Sequence, residues 1–207
     1  QDRKDLRDLP LITIDGKTAK DFDDAIYAEK FESGFRIYVA IADVSHYVKQ
    51  HSAIDDEAYK RGTSTYFPNF VVPMLPEKLS NGICSLNPNV DRLSLVSEVE
   101  IDFTGTIQSK KVYEAVIKSH ARVTYGEAQE VIDGHTPSSI EHVADVILLG
   151  ADIAKILMSK RFREGSLDFD IPETQVVVDD AGYAIDIQRA ERVFSNRLIE
   201  EFMLLTN

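Results

Sequence analysis

Ile14-Asp15-Gly16-Lys17-Thr18-Ala19-Lys20-Asp21-Phe22-Asp23-Asp24-Ala25 places four aspartates within ten residues. Upstream, Leu11-Ile12-Thr13-Ile14 is apolar and β-branched and runs into this acidic, Gly-containing stretch, as a strand entering a loop does. Downstream, Ala25 to Glu29 and Phe35 to Ala42 read as two more strands joined at Ser33-Gly34. The second is almost continuously apolar, the pattern of a central strand buried on both faces.

Several carboxylates brought together without counter-charge repel one another, which raises their pKa values. A divalent cation removes that cost. Hard oxygen donors with no His or Cys nearby favour Mg²⁺ or Mn²⁺ over zinc. Such a set suits hydrolysis or transfer at a phosphate, where two metals polarise the phosphoryl oxygens and generate a hydroxide. An acidic surface loop is the plain alternative, because solvated charge runs are common. An EF-hand starting at Asp21 fails, since its fifth position is Ala25 and Ile26 stands where glycine is required. A haloacid-dehalogenase-type phosphatase would want an aspartate two residues after Asp15, where the chain has Lys17.

Further along, Ser52 is placed to cap a helix over Ala53 to Arg61, with Asp55, Asp56 and Glu57 early in it. Tyr66 to Pro88 carries four of the seven prolines, so it reads as an ordered irregular segment and a candidate functional loop. Leu93 to Ile101 alternates with period two, Gly105 turns, and Ile107 to Ser119 returns as the second strand of a hairpin. Thr124 and Glu127 match a capping box, and Gly134 stands at a helix C-terminus. Apolar spacing predicts a helix from about Ile140 to Phe162, stopped by Gly165. Gln175 to Val178 and Ile185 to Ile187 suggest another hairpin, and Ser195 starts a final helix. That helix is still apolar at Phe202 to Leu205, the pattern of a chain that continues.

The 207 residues carry 23 Lys and Arg against 35 Asp and Glu, a net charge of −12. With 43% hydrophobic and 28% charged residues, the composition is that of a globular chain and excludes a disordered acidic tail. Val146 to Met158, interrupted by Asp152 and Lys155, falls short of the roughly 20 apolar residues that a bilayer span needs. No membrane partner is expected. The charged start, Gln1 to Asp5, lacks the apolar core of a signal peptide. The lone Cys84 cannot form an internal disulfide, which fits a cytoplasmic location. Taken alone, −12 argues against a nucleic-acid partner, because phosphate binding usually shows as basic surface.

The motifs point the other way. Ile14 to Ala25 resembles the signature Ile-Asp-x-x-x-Ala-x-Asp-Phe-Asp-Asp-Ala of the ribonuclease II and ribonuclease R family, the RNB catalytic domain, and the chain looks closer to the ribonuclease R branch. Val39 to Ser45, Pro73 to Pro76, Leu79 to Leu86 and Leu198 to Leu204 resemble further family segments, in the family's order. The resemblance implies an α+β fold, mixed α/β, with a central mixed or antiparallel sheet flanked by helices. Residues 1–207 would form a single, partial RNB domain. It also implies a Mg²⁺-dependent, processive 3′→5′ exoribonuclease acting on the 3′ end of single-stranded RNA and releasing nucleoside 5′-monophosphates. By motif, Asp15, Asp21, Asp23 and Asp24 become the catalytic and metal-binding carboxylates, with Asp15 and Asp24 on the first metal. Tyr66 matches the family's base-stacking aromatic, and Phe169 is the candidate for the opposing one. A buried or turn role is the plain reading for either ring. A catalytically inactive RNA-binding module of the same fold is the competing hypothesis, and a small-molecule phosphatase a third.

Other residues have structural readings first. His46 could shuttle protons, Asp43 could orient the metal loop or cap the following turn, and Cys84 reads as buried and apolar. Arg189, Arg192 and Arg197 are spaced for a helix edge that touches RNA phosphate or forms ion pairs. The family's Ser-Pro-Ile-Arg-Arg-Tyr-like motif, whose arginine stabilises charge in the transition state, is absent from these residues. So are the OB-fold and cold-shock modules that supply single-strand affinity. The 207 residues alone are therefore expected to be inactive.

Overall fold

The computed structural model describes residues 2–167, 174–179, 181–189 and 192–207. Short β1 (Lys4–Asp5) and β2 (Ile12–Asp15) precede a hairpin of β3 (Asp24–Phe31) and β4 (Gly34–Ala42). Helices α1 (Val44–Tyr47) and α2 (Ala53–Arg61) follow, then the two-residue strands β5 (Thr65–Tyr66) and β6 (Val71–Val72) and a π-helical turn over Lys78–Ile83. The long strands β7 (Asp91–Asp102) and β8 (Ile107–Lys118) lead to β9 (Ala121–Thr124), α3 (Tyr125–Ile132) and α4 (Ala144–Arg163). Finally come β10 (Thr174–Val178), β11 (Ala184–Arg189) and α5 (Phe194–Thr206).

The main sheet runs β1-β8-β7-β4-β3-β2-β9. Its inner pairings are antiparallel, and the two outer pairings, β1 with β8 and β2 with β9, are parallel. Of the two expected alternatives, mixed or antiparallel, the sheet is the mixed one. Its central strand β4 explains its own apolarity: Phe35, Ile37 and Val39 face one core cluster while Tyr38, Ala40 and Ala42 face another. Helices α3, α4 and α5 cover the first face through residues such as Val131, Ile147, Ile153, Leu198 and Phe202. Leu6, Leu11, Phe22, Cys84 and Leu86 cover the second. Each fully buried Leu, Ile or Phe contributes about 1.5 to 3 kcal/mol, so these covers fix the sheet's two sides.

Local signals act as their chemistry dictates. Ser52 accepts the Asp55 amide at the start of α2, and Thr124 with Glu127 forms a complete capping box on α3. Gly34 begins β4 where an added Cβ would lie 1.9 Å from the Ile101 carbonyl oxygen, so only glycine lets β4 lie against β7 there. Gly105, at φ 84°, closes the β7–β8 turn.

Several elements differ from the sequence reading: β1, the β5–β6 pair and the π-helical turn in the segment read as irregular, the start of the long helix, and β9. The helix expected from Ile140 starts as a 3₁₀ segment, Ser138–Val143, and becomes α-helical only at Ala144. No side chain caps its N-terminus, and tighter 3₁₀ hydrogen bonds are one way to satisfy uncapped amides. Strand β9 was not anticipated, because its partner is the distant β2. Among the described residues, no helix is long and apolar enough to cross a membrane.

Candidate active site

Asp15 is the last residue of β2 and Asp24 the first of β3. The two strands are antiparallel neighbours, so the end of one and the start of the next meet at the same end of the sheet. Residues 16–23 connect them and carry Asp21 and Asp23. The Ala19 amide donates to the Gly16 carbonyl at 3.1 Å, which folds the loop back on itself. Phe22 points into the second core cluster. From β9, Arg122 Nη2 donates to the Lys17 carbonyl at 2.7 Å and the Ala19 carbonyl at 3.4 Å, with its guanidinium over the Phe22 ring.

All four aspartates line one cavity of about 1150 Å³, with Tyr66, Phe67, Phe70, Glu77, Asn81 and Arg122 among the other wall residues. Burial pushes the Asp15 carboxyl up, opposed by the Gly16 amide that donates to its Oδ1 at 2.6 Å, while nearby Asp21 adds to the rise. Asp23 opens to solvent at the cavity surface, yet the protein around it still costs its carboxylate hydration, and Asp21 and Asp15 repel it, so its pKa also rises. Asp24 is pushed up to about 6, by burial first and then by Asp15 and Asp23. Its Oδ2 is buried with no hydrogen-bond partner. The aspartates share the cavity, but no three of them bring ligand atoms within 4.8 Å of one another; among the described residues, only His51, Asp55 and Asp56 do. That trio sits at the surface near the start of α2, where Asp55 Oδ2 already accepts the His51 amide at 2.8 Å.

Tyr66, in β5, is 65% exposed, and its hydroxyl donates to Asp21 Oδ2 at 3.0 Å. Phe169 lies outside the described residues. Asp43 is not a wall residue of the cavity. It caps α1 by accepting the His46 amide and pairs with Arg3 at 2.6 Å. His46 does not line the cavity either. Cys84 is buried, its thiol pushed up by burial and then by Asp23. The three arginines do not share a helix edge: Arg189 ends β11, Arg192 precedes α5 and pairs with Glu200, and Arg197 lies within α5.

Sequence reading missed two residues at this site, Arg122 and Tyr125. Tyr125 opens α3, and its phenol is pushed up to about 12, by burial first and then by Asp15 and Asp24. The β9–β2 pairing, which sets Thr124 opposite Asp15, brings Arg122 to the cavity wall and Tyr125, itself packed against the first core cluster, near the strand-end carboxylates.

A family model described as RNB domain matches residues 3–207. Ribonuclease R of Mycoplasmopsis pulmonis is 45% identical over 207 residues, covering 100% of this chain and 28% of its own length. Ribonuclease R of Vibrio cholerae is 47% identical over 210 residues, covering 100% of this chain and 26% of its own. The structure of Mycoplasma genitalium RNase R in complex with ribose methylated single-stranded RNA matches with a TM-score of 0.96 at 37% identity, over 99% of this chain and 32% of that one. The chain thus spans about a quarter to a third of these relatives. A match that runs from the Arg3–Asp43 pair through the carboxylate loop to α5 takes in every element that builds the cavity, and the chain belongs to the RNB domain family.

Proposed function

We propose that these residues are part of the catalytic domain of a Mg²⁺-dependent, processive 3′→5′ exoribonuclease that hydrolyses single-stranded RNA to nucleoside 5′-monophosphates. The observation that carries the reading is Asp24, whose Oδ2 is buried without a partner beside Asp15 and Asp23. A buried carboxylate among like charges is stable when it takes a proton or faces a cation. The donors around it are carboxylates, which fit Mg²⁺, or Mn²⁺, rather than a thiophilic metal.

Asp15 and Asp24 would hold the first ion, with Asp21 and Asp23 completing the site. Divalent ions bound there would polarise the scissile phosphate and lower the pKa of the attacking water. The chain's own residues do the rest. Tyr66 presents a ring on which the 3′-terminal base can stack without regard to sequence, worth about 1 to 3 kcal/mol. Its hydroxyl, bound to Asp21, couples the base platform to the carboxylates. Tyr125, its phenol pushed up by burial and then by Asp15 and Asp24, adds no negative charge near them. The −12 net charge does not oppose RNA, because bound cations invert the sign of the carboxylate surface.

The test is the full-length protein with 3′-labelled and 5′-labelled RNA, with and without Mg²⁺. Immediate release of the 3′ label as a mononucleotide, only with Mg²⁺, is expected. Internal cuts overturn the exonucleolytic reading, and RNA binding without any cutting supports an inactive binding module. The 207 residues alone are expected to release no mononucleotides. Robust Mg²⁺-dependent turnover by them would show that the rest of the relatives' length is dispensable.

A further inference from the structure

Asp15 and Asp24 are placed by strand ladders, since Asp15 pairs with Thr124 and Asp24 with Ile41. Asp21 and Asp23 lie in the connecting loop, outside the strands. Besides the Tyr66 hydroxyl on Asp21 and the Ala42 amide on the Asp23 carbonyl, what holds them is the residue between. The Phe22 ring is 4% exposed and packs into the second core cluster, leaving its two acidic neighbours on the cavity wall.

The main chain around Phe22 is tied to two distant segments, β4, whose Ala42 amide donates to the Asp23 carbonyl at 2.9 Å, and residues 85–86. The Phe22 amide donates to Ser85 Oγ at 3.0 Å, and the Phe22 carbonyl accepts the Leu86 amide at 2.8 Å. The same Ser85 hydroxyl donates to the Lys20 carbonyl at 2.9 Å. Ser85 is completely buried and is held in turn, its carbonyl accepting Arg92 Nε at 2.7 Å while Arg92 Nη2 reaches the Gly82 carbonyl at 3.1 Å. A hydroxyl has one proton to donate and lone pairs to accept. Ser85 spends both on backbone groups of the carboxylate loop, and it is not itself a wall residue of the cavity.

We infer that Ser85 is a positioning residue for the metal site: by holding Lys20 and Phe22 it sets where Asp21 and Asp23 stand relative to the strand-fixed Asp15 and Asp24. The inference rests on the metal-holding role proposed above for the aspartates. Ser94 provides the contrast. It is equally buried, but its hydroxyl has no hydrogen-bond partner, so removing it deletes a buried oxygen without touching the loop.

The experiment measures Mn²⁺ binding by electron paramagnetic resonance in the full-length protein and in its Ser85→Ala, Ser94→Ala and Asp24→Asn variants, with hydrogen–deuterium exchange over residues 16–24. Outer partners of metal ligands typically change metal affinity by about 10- to 100-fold. Ser85→Ala is expected to weaken Mn²⁺ binding by about that factor and to speed exchange in the loop alone, while Ser94→Ala binds as the parent does. Parent-like Mn²⁺ binding by Ser85→Ala, with Asp24→Asn impaired, overturns the role of Ser85 and leaves the metal site standing. Absence of saturable Mn²⁺ binding by the parent, or parent-like binding by Asp24→Asn, overturns the metal reading and this inference with it. Should Ser85→Ala fail to fold, the parent still decides: a slowly exchanging Phe22 amide supports the tie, and a rapidly exchanging one overturns it.

Discussion

The Tyr66 hydroxyl donates to Asp21 Oδ2 at 3.0 Å, joining the exposed ring above the cavity to one of the four carboxylates inside it. The phenol pKa is raised, by burial and then by that bond to Asp21, so Tyr66 remains a donor through neutral pH. Ring and hydroxyl can be separated by substitution. Tyr66→Ala should lose about 1 to 3 kcal/mol of RNA binding per stacked base and lengthen the smallest oligonucleotide left undegraded. Tyr66→Phe should keep the parent end product and alter only the metal-concentration dependence. An unchanged end product in Tyr66→Ala counts against stacking.

Asp23 stands open on the cavity surface, so its carboxylate can be altered with little effect on packing. In the full-length protein, Asp23→Asn should bind RNA nearly as the parent does and lose hydrolysis. A filter-binding assay beside a mononucleotide-release assay separates the two, and unchanged turnover would remove Asp23 from the site.

Asp24 is the costliest of the four carboxylates to keep ionised, with its pKa pushed up to about 6. Replacing it with Asn removes a buried charge that lacks a partner on Oδ2, a change worth about 1 to 3 kcal/mol. Near neutral pH without divalent ions, Asp24→Asn should therefore melt at a higher temperature than the parent. With Mg²⁺ present the order should narrow or reverse, because the parent alone gains the full benefit of the ion. Calorimetry with and without EDTA reads both arms.

Asp43 supplies the acid-sensitive contact. Burial pushes its carboxyl up, but the Ser45 hydroxyl, Arg3 and the His46 amide together carry its pKa below the ordinary 3.8. A carboxylate with a lowered folded-state pKa adds stability above its unfolded value and loses it as pH falls through the folded one. The Arg3–Asp43 contribution should hold at pH 7 and fade below about pH 4. Asp43→Ala leaves a buried guanidinium without its main partner and should cost about 3 kcal/mol at pH 7, with the gap to the parent closing on acidification. A gap constant down to pH 2.5 would contradict it.

Much of the site was legible in the sequence because its determinants are local. Asp15, Asp21, Asp23 and Asp24 fall within one short strand–loop–strand stretch, so its local course already brings them toward one cavity. The Ser52 cap, the Thr124–Glu127 box and the Gly105 turn are likewise local chemistry and appear where the spacing puts them. What escaped depends on contacts between distant segments. Ser85 and Arg122 reach the loop from far along the chain, and nothing in the residues beside them announces it. Strand β9 is four residues long, too short for its own alternation to mark it, and exists because β2 offers a free edge.

That late arrival of β9 bears on how the molecule is made. A chain synthesised from its N-terminus exposes the acidic loop early, whereas Ser85 and then Arg122 and Tyr125 emerge only afterwards. Until β9 docks in parallel beside β2, a long-range closure that is intrinsically slow, the loop has neither its outer strand nor its Arg122 contacts. The strand-and-loop frame around the carboxylates is therefore completed only late in this segment's synthesis, when its most distant contacts come into reach.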